Sequence, residues 1–268
     1  MSEPSVPPDP YTPPEALAPV PKEKAMGFWD HLEELRGTII KSVIAFVFFA
    51  VLIGYFIKEF NQVLLWPLLN VTAEFPHLTV ELGTTTPLEV FNMIIQMCFL
   101  GGLTLAGPFI LFFIGQFVAP ALTEKESKII LPLCLSAMFL FLLGAAFSFF
   151  ALVPSTIRMA IELNDTFHLA FRWTVGAYYS LLMWLVLGVG VAFEFPLVIV
   201  LLVWMGVLST AFLRKYRRHA IVVIFVVAAI VTPTPDPLTQ SLFALPLYVL
   251  YEIAIIISTR IEKRRAVV

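Results

Sequence analysis

The chain reads Phe28-Trp29-Asp30-His31-Leu32-Glu33-Glu34-Leu35-Arg36-Gly37 and then runs without a break into TIIKSVIAFVFFAVLIGYFI, Thr38 to Ile57. A charged, amphipathic stretch leads straight into an apolar one of about 20 residues, which as a helix rises ~30 Å, the thickness of a bilayer's hydrocarbon core. The junction therefore sets a helix at a membrane surface just before the chain enters the bilayer. Paired acids stand where such a surface is otherwise kept basic, and a carboxylate at a lipid boundary is well placed to receive a guanidinium. A site for arginine is the first expectation.

Composition extends that reading to the whole chain. Hydrophobic residues make up 59% and charged residues 13% of 268, and the mean hydropathy is +0.91, more apolar surface than one soluble core could hide. The expected class is an all-α, polytopic membrane protein. Apolar stretches at 38–57, 91–117, 131–153, 179–204, 219–232 and 238–257 give about six spans. The fifth is short, since Ala220 to Val231 alone is free of charge and polarity and would rise only ~18 Å. Residues 1–25 are proline-rich with no apolar core, so a disordered tail and no signal peptide are expected there. Residues 26–259 form the membrane domain, and 260–268 a basic tail.

Orientation follows the basic residues. Lys22, Lys24, Arg36, Lys125, Lys128, Arg214, Lys215, Arg217, Arg218, Arg260, Lys263, Arg264 and Arg265 fall on one side, against Lys58, Arg158 and Arg172 on the other. The positive-inside rule then puts both termini in the cytoplasm. Outward segments are expected at 58–90, at 154–178, and at the turn Thr232-Pro233-Thr234-Pro235-Asp236-Pro237, where prolines end one helix and begin the next. Trp66, Trp173, Tyr178 and Tyr179 lie near outer boundaries and read as interfacial anchors. Gly107-Pro108 is a natural kink in the long charge-free stretch from Val90 to Thr123.

Few residues could carry chemistry. Glu194 interrupts the fourth span within Phe193-Glu194-Phe195-Pro196, where a carboxylate must be protonated, paired or wetted, so it should face a cavity. Its plainer alternative is a buried acid bonded to backbone that Pro196 frees. Thr123 and Glu126 fit a capping box at the start of the third span, and Glu33 and Glu34 also fit the solvated face of an interfacial helix. There is no phosphate-binding glycine loop, no H-E-x-x-H pair, no G-x-S-x-G elbow and no cysteine–histidine cluster. No enzyme activity, cofactor, metal or nucleic-acid partner is expected. Cys98 and Cys134 read as small buried hydrophobes.

Taken together, His31-Leu32-x-Glu34-Leu35-Arg36, Phe117-x-Ala119-Pro120-Ala121-Leu122 before Glu126, Phe193-Glu194-x-Pro196, Trp204-Met205-Gly206, and Thr-Pro…Asp236…Gln240 closely resemble the TatC family, polytopic receptors of the twin-arginine protein translocase. The resemblance runs from about Phe28 to Arg260. It implies a six-helix, N-in/C-in bundle shaped like a cupped hand with short fifth and sixth helices, in a bacterial inner membrane. It further implies capture of signal peptides bearing two consecutive arginines on folded cargo, whose export the proton gradient drives. By motif position Glu34 and Glu126 would hold the guanidiniums, with Arg36, Phe117 and Leu32 shaping the site. Glu194 would face the concave cavity. Thr232, Thr234, Asp236 and Gln240 would meet single-span partners of the TatA and TatB type, Pro67 and Glu89 would shape the outer cap, and copies of the chain would associate in a receptor complex. The loop Glu124-Lys125-Glu126-Ser127 departs from the more basic loop frequent in the family. A reading from another class is an ion-coupled transporter or channel for a small solute using Glu194, but no chain of acids links the two faces.

Overall fold

The computed structural model describes residues 28–76, 82–118, 130–169, 172–232 and 236–265. The surface helix and the first span are one element, α1 (Phe28–Tyr55), because neither Arg36 nor Gly37 interrupts its hydrogen bonding. Trp29, Leu32 and Leu35 are all exposed along its first turns, as a helix entering lipid requires. The chain then turns at Phe56 into α2 (Ile57–Thr72), and α3 (Pro87–Val118) returns antiparallel to α1. Next come α4 (Ile130–Phe147), a π-helical turn at Ser148–Leu152 and α5 (Val153–Thr166) in one rod. The fourth span is split into α6 (Val175–Ala192) and α7 (Phe195–Trp204) around Phe193 and Glu194. The short α8 (Thr210–Lys215), α9 (Arg217–Val231) and α10 (Pro237–Arg265) complete the chain.

Among the described residues, five helical stretches are long and apolar enough to cross a membrane. The remaining expected span, the fifth in chain order, is α9, whose 15 residues rise ~22 Å against a ~30 Å hydrocarbon layer. α10 differs from the short sixth helix expected, running 29 residues. Its helix does not stop where apolar residues give way to Arg260–Arg265, since cations in a final turn complement the helix dipole.

Without a hydrophobic drive between helices in lipid, close packing must come from small residues. On α3 a methyl placed at Gly102 would come within 3.0 Å of the Ala50 backbone, so α1 and α3 touch there backbone to backbone. The ring of Phe141 on α4 lies between Gly107 of α3 and Gly190 of α6, with room for a methyl on neither. Around these contacts Met97, Leu100, Leu152, Ile157, Leu182, Leu185 and Val189 form the core.

At the end of the bundle opposite the α1 start, the expected outer loops are largely ordered. Leu82 pairs with Trp173 and Gly83 with Thr174 in a two-residue parallel ladder, β1 (Leu82–Gly83) and β2 (Trp173–Thr174). Arg158 grips Glu74 through two hydrogen bonds, 2.6 and 2.9 Å, and that contact holds the Glu74 carboxyl below its usual range. Tyr178 and Tyr179 are not interfacial anchors, for both are buried. Tyr178 donates to the Leu64 carbonyl at 2.5 Å and Tyr179 to Asn61. Buried phenols must find acceptors, and α2 supplies both. Trp66 does stay at the rim, against Phe149 and Phe150.

A polar clamp fixes the other end of the molecule. Ser209 caps α8, Glu262 of α10 accepts from the Thr210 backbone at 2.9 Å and from its hydroxyl, and Arg214 donates to Thr259 at 3.0 Å. Glu252 takes Arg217 at 2.8 Å and the Tyr248 hydroxyl at 3.0 Å.

Candidate functional site

The start of α1 and the last turn of α3 meet at one corner, because antiparallel packing along α1 and α3 carries the two ends to the same face. Phe117, one residue before the end of α3, stacks on His31 with ring centroids 4.4 Å apart and planes 16° from parallel. One helical turn on, Glu34 sets Oε2 3.8 Å from His31 Nδ1, a reach that the i, i+3 spacing provides. Glu34 Oε2 is buried and has no hydrogen-bond partner among the described residues, although the side chain as a whole keeps 35% of its exposure. The carboxylate thus turns one oxygen inward toward the imidazole. Its remaining exposure leaves an approach for a donor from outside. Arg36 and Leu32 are exposed on the same turns of α1. Glu126 lies outside the described residues.

Of the remaining expected residues, Glu194 sits at the junction of α6 and α7, half-buried, with Oε1 buried and without a hydrogen-bond partner. The Glu194 backbone carbonyl accepts from Leu197 and Val198 at the start of α7. A cavity of about 440 Å³ is apolar and lies between α1, α2, α3, α4 and α6, lined by Ile53, Phe60, Leu100, Gly101, Leu142 and Phe149. Glu194 is not among its lining residues.

The α9–α10 hairpin is tied internally. Thr232 is buried and donates to the Ala228 carbonyl at 2.7 Å. Asp236, also buried, accepts from the Thr239 backbone at 2.6 Å and so caps α10. Gln240 donates to the Phe225 carbonyl on α9 at 3.1 Å. Thr234 lies outside the described residues. Pro67 is buried within α2. Glu89, at the start of α3, accepts from the backbone and hydroxyl of Thr85 at 2.6 and 3.0 Å and from Gly176 at 3.2 Å. It joins the entry of α3 to that of α6.

The structure brings Glu34 and Phe117 together and leaves Glu194, the hairpin and the outer pair in separate places. Sequence reasoning gave His31 no role of its own. The i, i+3 spacing from His31 to Glu34 was the available signal. No group of His, Cys, Asp and Glu able to hold a metal occurs among the described residues.

Comparison with known proteins bears on the whole chain. The family model described as Sec-independent protein translocase protein (TatC) matches residues 30–246. A protein of that name from Aquifex aeolicus is 35% identical over 241 residues, spanning 90% of this chain and 98% of the relative. One from Koribacter versatilis is 34% identical over 235 residues, 87% and 84% of the two chains. A crystal structure described as the twin arginine translocase receptor TatC superposes with a TM-score of 0.71 at 35% identity, covering 87% of this chain and 99% of that one.

Proposed function

The chain belongs to the TatC family of Sec-independent protein translocase proteins, and from that premise we propose that it is the core receptor subunit of a twin-arginine translocase. In this reading it captures signal peptides carrying two consecutive arginines, on folded cargo, at the membrane face where α1 begins. That face is the cytoplasmic one, to which the distribution of Lys and Arg assigns both termini. The observation that carries the proposal is the Glu34 carboxylate beside His31 and Phe117, with an oxygen left without a partner.

An acid at a half-buried corner binds guanidinium in preference to ammonium for a geometric reason. The planar guanidinium holds its N–H donors in fixed directions that an oriented carboxylate can match, whereas a lysine offers a point charge that is costlier to desolvate. Glu126, in the sequence that follows α3, supplies the second carboxylate. Arg36, Leu32 and Phe117 frame the approach. Glu194 faces the concave side where the apolar part of the peptide rests. The α9–α10 hairpin, with Thr232, Thr234, Asp236 and Gln240, receives single-span TatA- and TatB-type partners, and copies of the chain associate in the receptor complex. Passage is then opened by the assembled partners and driven by the proton gradient, with no catalytic chemistry in this subunit.

Binding of a labelled Arg-Arg signal peptide, against the same peptide with Lys-Lys, to the full chain in nanodiscs tests this reading. Lys-Lys substitution should weaken binding by ~10-fold or more, about 1.4 kcal/mol, and Glu34→Gln or Glu126→Gln should do the same to the Arg-Arg peptide. Equal binding of both peptides, unaffected by either variant, would remove the receptor site from this corner.

A further inference from the structure

His31 is more than the neighbour of a binding residue. Its ring is pinned face to face on Phe117, so a residue of α3 fixes the plane of an imidazole on α1. That plane directs Nδ1 at Glu34 Oε2, the oxygen that is buried and without a hydrogen-bond partner. A carboxylate on a side chain with free rotors would otherwise sample several orientations. At 3.8 Å the two atoms stand just beyond a hydrogen bond, and because a buried acceptor left unmade is costly, closing that short gap is favoured.

We propose that His31 is a positioning residue for arginine capture: held by Phe117, it anchors the inner oxygen of Glu34 through an Nδ1–H donor and keeps the outer oxygen turned toward the incoming guanidinium. The inference rests on the reading of Glu34 as a peptide-binding carboxylate. The Phe117–His31–Glu34 relay also makes the site depend on the α1–α3 packing, since the carboxylate is on one helix and the surface that orients it is on the other. A carboxylate with one oxygen committed discriminates by direction as well as charge. Loss of the anchor should therefore blunt the preference for arginine over lysine more than it weakens binding of cations in general.

The test uses the full chain in nanodiscs and the Arg-Arg and Lys-Lys peptides, with four variants. His31→Phe keeps a ring for Phe117 and removes the donor. His31→Asn returns an amide N–H near the Nδ1 position, and His31→Gln places one near Nε2 instead. Glu34→Gln reports on the underlying reading. Expected is a loss of Arg-Arg affinity of roughly 5-fold or more in His31→Phe and His31→Gln, the scale of one charge-assisted hydrogen bond. The Arg-Arg to Lys-Lys ratio should narrow in both, with recovery in His31→Asn. If Glu34→Gln loses Arg-Arg binding while His31→Phe and His31→Gln keep it, the positioning role is overturned and the carboxylate site stands. If all three His31 variants lose it equally, donor placement is not what matters and the inference also falls. If Glu34→Gln binds as the natural chain does, the underlying reading fails too. The His31→Asn and His31→Gln pair decides the question should His31→Phe not fold.

Discussion

Tyr178 and Glu34 show how one polar atom decides the worth of a residue inside a membrane protein. The Tyr178 hydroxyl, on a fully buried side chain, donates to the Leu64 carbonyl on α2, and a buried polar group that loses its partner is costly. Tyr178→Phe keeps the ring in the core and removes the bond. The change should destabilise the bundle by about 1–3 kcal/mol, read as a lower melting temperature in detergent. Tyr178 was mistaken in the sequence for an interfacial anchor because an aromatic near a span boundary has the same pattern whether its hydroxyl meets lipid headgroups or a helix carbonyl. Glu34 was legible, since paired acids before an apolar run are unusual. His31 was less so: its i, i+3 spacing to Glu34 was there to read, but its ring partner lies 86 residues away on another helix.

Among elements, the α1–α3 contact and the outer cap carry separate consequences. Gly102 lets α3 approach the Ala50 backbone, so Gly102→Val should push the two helices apart at a cost of about 1–3 kcal/mol. It should also lower Arg-Arg peptide binding, because the same helix pair orients His31 and Glu34. A matching loss of melting temperature with unchanged peptide binding would separate the two effects. The cap responds to acid. Arg158 depresses the Glu74 carboxyl, so the ion pair contributes fully above the unfolded value of ~4.3 and is lost as pH falls through the lower folded value. Amide exchange around Leu82–Gly83 and Trp173–Thr174 should therefore quicken below pH ~4 in the natural chain and be already fast, with little further change, in Glu74→Gln. Both side chains are partly exposed, so the effect is local. The positions of the spans were readable from hydropathy, because backbone in lipid must be helical, but the helices overrun the apolar stretches: α1 starts at Phe28 and the third rod continues to Thr166. The cap was not, since α2, α5 and the two-residue ladder owe their order to long-range contacts with α6 and with each other.

At the scale of the whole molecule, a ~22 Å helix, α9, stands beside spans of 27 residues or more. The bilayer must thin on that side or other chains must cover it. Melting temperature should be higher in nanodiscs of shorter acyl chains than of longer ones, and shortening the mismatch by inserting one helical turn of leucines into α9 should reverse the preference. The membrane class, the number of spans and the two-sided charge distribution were all present in the sequence, as hydropathy and the placement of Lys and Arg do not depend on tertiary contacts. What packing alone determines is where the chemistry gathers. The corner of α1 and α3 unites Glu34 with Phe117, whereas Glu194 stays apart at the α6–α7 junction.

The central claim is that this corner receives the arginine pair of a signal peptide. The most direct measurement is photo-crosslinking from a peptide with a photoreactive residue next to its two arginines, bound to the full chain in membranes, followed by mapping of the adducts. The account predicts adducts at the first turns of α1 and the last turn of α3, around Leu32 and Phe117, that vanish when Lys-Lys replaces Arg-Arg. Adducts at the α6–α7 junction or the α9–α10 hairpin, or equal yields from both peptides, would contradict it.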